Sequence, residues 1–463
     1  MDRLAQVVSP VRTDRLRRAA EGTRALLQDR TVWNVNATAQ GGGVAEMLQT
    51  LLAYGRGAGV DTRWLVMDGD PDFFTVTKRL HNRLHGSWGD GGALDAEARE
   101  VYRATIRRNE AELLQRLSPG DIVLLHDPQT AGMTRAVLDA GAHAVWRCHV
   151  GSDTTNGATA EGWDFLRELV EPAEAMIFSR AAYAPDWVPQ QKIKVIPPSL
   201  DPFSAKNAAL PEESVAATLR LAGLVDLDSS SDSATFVRRD GSSGVVRPRH
   251  DLLAQGPLEA EARVVLQVSR WDHLKDMAGV LQGFAAHVDD LEDDVHLMLV
   301  GPATAGVSDD PEGAAVLEEC RDVWTRQQPR VRARIHLCSL PMDDVDENAH
   351  LVNALQRHAA VVVQKSLVEG FGLTVTEPMW KGRPVVASAV GGIRDQIEDG
   401  VSGLLLPDPT DLDAMVISVR SLLDDPAKAR ALGDAAHVRV RDHLLGDRHL
   451  VQYADLFEEL VEG

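Results

Sequence analysis

The sequence predicts an α/β protein made of two doubly wound domains of parallel sheet that face each other across a cleft. Three observations predict it. Short β-branched, near-continuous apolar runs alternate with longer amphipathic stretches along most of the 463 residues, as parallel strands covered on both faces by crossover helices should. The runs fall into two sets, separated by a segment of different composition. Hydrophobic residues make up 44% of the chain and charged residues 25%, a balance that builds large cores and excludes disordered, fibrous or disulfide-stapled chains.

In the first set the strands are expected over 31–36, 62–67, 121–126, 143–150, 175–179 and 194–197. In the second they are expected over 263–269, 295–301, 334–339, 359–365, 384–388 and 403–406. Between the sets, Pro197-Pro198-Ser199-Leu200-Asp201-Pro202 reads as a stiff linker. The segment 204–256 holds serine-, aspartate- and glycine-rich turn material, with a helix expected over 211–221 and a small hairpin. The expected organisation is an N-terminal domain over 1–200, a linker and inserted arm over 201–258, and a C-terminal domain over 259–445. A last helix over 446–463 can return to the N-terminal domain, and the arm is a candidate homodimer contact.

Lys and Arg total 48 against 69 Asp and Glu, a formal charge of −21. So acidic a surface repels phosphate backbones, which argues against nucleic acid as a partner. An anionic small molecule can bind only where Arg, Lys and backbone N–H groups reverse the local field. Cys148, Cys320 and Cys338 are scattered without CxxC spacing and read as reduced thiols. Met1-Asp2-Arg3-Leu4 does not open an apolar signal core, and no stretch approaches the roughly 18 apolar residues of a membrane span. A cytoplasmic protein without a stable membrane anchor is expected. The arginines of 11–30 are interrupted by Asp14, Glu21 and Asp29, the pattern of a solvated helix rather than a membrane-surface one.

Three motifs carry chemistry. Gly41-Gly42-Gly43 follows a strand and opens a helix with Val44, Met47, Leu48, Leu51 and Leu52 at helical spacing. Glycine lets backbone approach a ligand closely, and a helix start presents free N–H groups to an anion; a tight turn with no ligand is the bland reading. Ser269-Arg270-Trp271-Asp272-His273-Leu274-Lys275 puts a guanidinium and an ammonium at the carboxyl edge of the second set. That pair suits a diphosphate gaining charge as it leaves. In the third, Glu369-Gly370-Phe371-Gly372-Leu373-Thr374 joins a strand to a helix starting near Leu373, with Pro378 expected in its first turn. Backbone N–H groups around Gly372–Thr374 would meet an anion, and Glu369 and Glu377 would accept from vicinal hydroxyls. His81 and His85, four apart, lack a third residue spaced to complete a metal site, and Asp68-Gly69-Asp70 reads as an acidic loop. No metal is expected.

Glu369 and Glu377 with seven residues between them, in the setting EGFGLTVTEPMWKGRPVVAS, resemble the E-x7-E signature of retaining GT-B glycosyltransferases of family four. Val390-Gly391-Gly392-Ile393, Glu398-Asp399-Gly400 and Gly403-Leu404-Leu405 match the same C-terminal domain. The first half resembles the trehalose glycosyltransferring synthase and trehalose phosphorylase group. The carrying stretches are Gly41 to Leu48, Phe73 to Asn82, His126-Asp127-Pro128-Gln129 and Trp146-Arg147-Cys148-His149. One departure is that the acid after His149 comes two positions late, at Asp153.

The resemblance implies a GT-B fold of two Rossmann-like domains, the first on the acceptor side and the second binding a nucleotide sugar. It implies Arg270, Lys275, Glu369 and His149 as catalytic residues. Donor binding falls to Gly42, Gly43, Gly370, Phe371, Gly372, Leu373, Thr374 and Glu377, and acceptor binding to His81 and Asp153. The implied reaction moves glucose from a nucleoside diphosphate glucose to a small sugar, glucose itself giving trehalose, with retention and no cofactor. Alternatives are a trehalose phosphorylase releasing glucose 1-phosphate, a nucleotide-sugar 2-epimerase, and a non-catalytic nucleotide-sugar-binding regulator.

Overall fold

The structure is a computed structural model that describes residues 2–39, 43–231, 233–248, 250–252, 256–304 and 312–463. The chain separates into two compact units. One comprises Met1–Leu200, Glu369–Phe371 and Leu444–Gly463, the other Asp201–Val368 and Gly372–His443.

The first unit is built on six parallel strands: β1 (Val32–Asn36), β2 (Thr62–Val66), β3 (Ile122–His126), β4 (His143–Cys148), β5 (Ala175–Phe178) and β6 (Ile193–Val195), in the order β2-β1-β3-β4-β5-β6. Every residue of β1, β3 and β5 is buried, which fits their largely apolar sequences. Their pleat sends Trp33, Val35, Val123 and Leu125 into one core with the helices Pro71–Leu84, Ala96–Leu114 and Gly157–Val170. Val32, Ile122, Leu124 and Val145 enter another with Tyr453, Leu456 and Phe457 of the helix Gly446–Glu462. That last helix also holds a fully buried arginine: Arg147 donates to His449 Nε2 (3.1 Å), to the Tyr453 hydroxyl and to the Ile196 carbonyl (3.1 Å).

In the second unit short strands come first: β7 (Val225–Asp226), β8 (Thr235–Val237), β9 (Ser243–Val245), β10 (Asp251–Leu252) and β11 (Leu258–Glu259). The main strands follow: β12 (Arg263–Val268), β13 (Val295–Pro302), β14 (Ile335–Leu340), β15 (Val361–Gln364), β16 (Val385–Ser388) and β17 (Leu404–Leu406). The sheet runs β10-β14-β13-β12-β15-β16-β17, parallel except for the antiparallel edge strand β10. Two residues long, β10 carries no periodic signal and was not expected. The helix expected over 211–221 is Glu212–Leu221, and β8 with β9 is the expected hairpin. The helix Glu212–Leu221 and strand β8 pack on the helix Val345–His358. Arg238, Arg239 and Arg247 pair with Asp344, Asp346 and Glu347 at 2.6, 2.9 and 3.0 Å.

One local expectation is corrected. The third motif's helix spans Leu373–Trp380, and Pro378 is an interior residue rather than part of its first turn. The lost N–H bond is tolerated because the helix ends two residues later, so no longer ladder is interrupted.

Each sheet reverses its strand order once, between β1 and β3 in the first and between β12 and β15 in the second. Crossover helices leave such a switch point in opposite directions, which opens a crevice beyond the carboxyl ends of the strands.

Candidate active site

At the switch point of the second sheet, β12 runs into the loop bearing Arg270 and Lys275 while β15 ends beside Lys365. The loop is fastened on several sides. The Trp271 indole is buried and donates to the Pro302 carbonyl (2.9 Å), and the Asp272 carboxylate accepts from Leu274 N–H (2.8 Å). Gln267 donates to the Lys275 carbonyl (2.9 Å), and Leu367 N–H donates to the Leu274 carbonyl (2.8 Å). Asp276 sits in the left-handed region (φ 48°), accepts from Gly279 N–H (3.2 Å), and pairs with the fully buried ammonium of Lys365. These contacts hold the loop's backbone at the sheet edge, where Arg270 and Lys275 emerge. Arg270, 35% exposed at the side chain, reaches within 3.9 Å of Asp272.

Gly372 (φ 87°) turns the chain into the helix Leu373–Trp380, a left-handed conformation that a side chain would strain. The first-turn N–H groups of Leu373 and Thr374 lie beyond reach of intrahelical acceptors. Further along, the buried Glu377 carboxylate accepts from Gln356 (3.2 Å) and lies 3.6 Å from the Lys206 ammonium. Lys381 beneath it donates to Asn207 Oδ1 (3.0 Å), Gln356 Oε1 (2.7 Å) and the Glu377 carbonyl (3.2 Å). Burial lowers its amine to about 7 against the pull of Glu377.

Glu369, Gly370 and Phe371 group with the first unit, at the side of His149. The Tyr183 hydroxyl lies 2.7 Å from the Gly370 carbonyl and 3.0 Å from that of Glu369. A Cβ on Gly370 would stand 2.5 Å from the His149 carbonyl oxygen. Just past the end of β4, His149 donates its backbone N–H to Asp127 Oδ1 (2.7 Å), and its ring lies edge to edge with that of His126, ring centres 5.4 Å apart and planes 11° apart. Asp153 pairs with Arg180, whose guanidinium lies 5.8 Å from the Tyr183 ring centre. His81 packs edge-on against His85 (4.8 Å), and His85 Nδ1 lies 2.9 Å from the Gly151 carbonyl. Gly43 opens the helix Gly43–Gly57, while Gly42 lies outside the described residues. The first unit thus gathers Glu369, Gly370, Phe371, His149, His81 and Asp153. The second holds Arg270, Lys275, Gly372, Leu373, Thr374 and Glu377.

Asp70 caps its helix through Phe73 N–H (2.9 Å) and pairs with Arg108 (3.1 Å). Among the described residues no group of three or more His, Cys, Asp or Glu side chains could hold a metal, and no helix is long and apolar enough to cross a membrane.

Burial, then the nearby Arg147 guanidinium, holds His126 and His149 well below the ordinary imidazole range. Burial pushes the Asp127 carboxyl up to about 7, against the His149 N–H bond and Arg147. The native state therefore holds this proton more tightly than the unfolded chain. The stability it contributes is complete below the unfolded value and is lost as pH rises through about 7. Asp127→Asn keeps an acceptor and suits the residue's positive φ of 64°. Its melting temperature is expected to gain on the wild type from pH 4 to 7 and then level off; a pH-independent difference would place Asp127 in a solvated setting.

Lys206, Gln356, Lys365, Asp276, Tyr183 and His126 are neighbours of the site that sequence reading missed as site residues. His126 lies in a stretch that carries the resemblance; the others are linked to the site only in space.

Residues 34–185 match the family model for the trehalose synthase N-terminal domain, and residues 343–439 match that for group 1 glycosyl transferases. The chain is 33% identical over 435 residues to the trehalose synthase of Pyrococcus horikoshii, covering 94% of this chain and 91% of that protein. It is 27% identical over 433 residues to the trehalose phosphorylase of Pleurotus pulmonarius, covering 88% of this chain and 54% of the other. In structure it resembles the α,α-trehalose-phosphate synthase (UDP-forming) from Burkholderia xenovorans, solved in complex with glucose-6-phosphate. That match has a TM-score of 0.67 at 15% identity, over 94% of this chain and all of that one (100%). This likeness shows the GT-B fold, two Rossmann-like domains with parallel sheets. With near full-length identity above 30% and family models matching a stretch of each unit, the chain belongs to the trehalose synthase family and is a glycosyltransferase.

Proposed function

We propose that the protein transfers glucose from a nucleoside diphosphate glucose to glucose, forming α,α-trehalose with retention at the donated carbon. The observation that carries this reading is the pinned loop at the second switch point, which offers a guanidinium and an ammonium where α/β sheets bind ligands. Arg270 and Lys275 take the charge that builds on the diphosphate as its bond to the sugar breaks. The N–H groups of Leu373 and Thr374, at the start of their helix, receive phosphate oxygens. Glu369 accepts from the donor sugar's hydroxyls, and Glu377 from the vicinal hydroxyls of the ribose. His149 lines the reaction centre, and His81 and Asp153 meet the acceptor. The acceptor hydroxyl attacks the anomeric carbon from the face the diphosphate leaves. The new carbon–oxygen bond forms as the bond to phosphate breaks, and a phosphate oxygen takes the proton.

Similarity along nearly the full length of a trehalose synthase, against about half of a phosphorylase, supports synthesis over phosphorolysis. Purified protein given glucose with ADP-, UDP- or GDP-glucose is expected to release the nucleoside diphosphate and form trehalose, identified by NMR. Glucose 1-phosphate from trehalose and inorganic phosphate, without turnover of any donor, would establish phosphorolysis instead. A product from donor alone would establish an epimerase. Lys275→Ala is expected to weaken nucleoside diphosphate binding by roughly tenfold or more in calorimetry; unchanged affinity would remove Lys275 from the diphosphate site.

A further inference from the structure

Two side chains on neighbouring strands of the first sheet and one just past the end of β4 form a chain of hydrogen bonds that ends at His149. Asn34 in β1 faces His126 at the end of β3, with Asn34 Oδ1 3.0 Å from His126 Nε2. His126 Nδ1 in turn lies 3.1 Å from His149 Nε2, and the two rings are nearly coplanar in orientation, 11° apart at 5.4 Å. Asn34 and His126 are buried, whereas His149 is half-buried. The relay therefore runs from the sheet interior outward.

We infer that Asn34, acting through His126, fixes His149 in the tautomer protonated at Nε2 and leaves Nδ1 as a hydrogen-bond acceptor for a sugar hydroxyl. The assignment follows from counting protons. An amide oxygen only accepts, so His126 must carry its hydrogen on Nε2. A neutral His126 then has a lone pair on Nδ1, and His149 must donate from Nε2 to satisfy it. One proton per ring is required for this logic. The environment enforces it, because desolvation of both imidazoles and the Arg147 guanidinium disfavour a second positive charge on either ring. Arg147 does not compete for the relay: its guanidinium is occupied by His449, Tyr453 and the Ile196 carbonyl. Asn34 and His126 are positioning residues, acting on substrate only through His149.

The contact with a sugar rests on the proposed placement of His149 at the reaction centre; the tautomer does not. Neutron diffraction from deuterated crystals reads the tautomer directly. Deuterium on Nε2 of both rings, with none on His149 Nδ1, is the expected result; deuterium on His149 Nδ1 overturns the inference, whatever any variant does. In kinetics, Asn34→Leu is expected to lower kcat/KM for the donor about tenfold, the scale of one hydrogen bond. His126→Leu should do the same, while His126→Asn, which can offer an amide oxygen near the position of Nδ1, should restore most of the loss. Loss in His126→Asn equal to that in His126→Leu, with both folded, would count against the relay. The expected deuterium pattern with unaltered kinetics in folded Asn34→Leu would uphold the tautomer and remove His149 from the substrate's contacts. Should Asn34→Leu fail to fold, the wild-type neutron map alone decides.

Discussion

Lys365→Met is expected to destabilise the second unit by about 3 kcal/mol, a drop of roughly 6–12 °C in its melting temperature. Lys365 is fully buried at the end of β15, and its ammonium pairs with Asp276 on the loop that follows β12. Methionine can fill the space of the stem but leaves the carboxylate without its counter-charge. Removing one partner of a buried pair costs more than the pair itself contributes, since the survivor keeps its desolvation penalty. The Asp276 side chain retains 21% exposure, which lets water recover part of the loss and sets the magnitude at the lower end of the usual range. The consequence extends to chemistry. Asp276 follows Lys275 directly and holds a positive-φ conformation, so releasing it loosens the ammonium proposed to meet the diphosphate. Nucleoside diphosphate affinity should therefore fall alongside stability. Wild-type melting and wild-type affinity together would show that the pair does not anchor the loop.

Gly370→Ala is expected to abolish most activity. The glycine's φ is not the obstacle, because Gly370 is not among the positive-φ residues. Space is: the added carbon would stand 2.5 Å from the His149 carbonyl oxygen, a backbone atom that cannot swing aside, and 3.7 Å from His85. Either the Glu369–Phe371 segment or the residues after β4 must shift. Both carry groups proposed to touch the sugars. Overpacking of this kind typically costs about 1–3 kcal/mol, and a displacement on the order of 1 Å at a reacting centre is enough for a roughly hundredfold loss in rate. Thermal unfolding and kcat/KM for the donor check it; a fully active Gly370→Ala would mean that the segment does not rest against His149 during turnover.

Particular elements show how far the sequence carries. The two main sheets were readable because parallel strands buried on both faces tend to near-continuous apolar runs, as in Ile122–His126 and Val361–Gln364. Strand β10 was not, since two residues leave no period and its place depends on the edge that β14 presents. Glu369, Glu377 and the cations at 270 and 275 were readable as local patterns at strand ends and a helix start. Their supports were not. Asp276 and Lys365 are 89 positions apart, and Lys206 and Gln356 come to Glu377 from different segments. No spacing rule links such residues.

By itself, then, the order of residues determined the fold class, most strand positions and the chemical character of the candidate ligand groups. Those depend on periodicity, turn chemistry and side-chain type, all short-range properties of the chain. Only the tertiary structure decided which buried charges face each other, which glycine has no room for a side chain, and which histidine nitrogen is engaged by a neighbour. Strand order brings these groups within a few ångströms, where desolvation, hydrogen bonding and steric exclusion operate, and that order is a property of the packed sheets rather than of any local stretch.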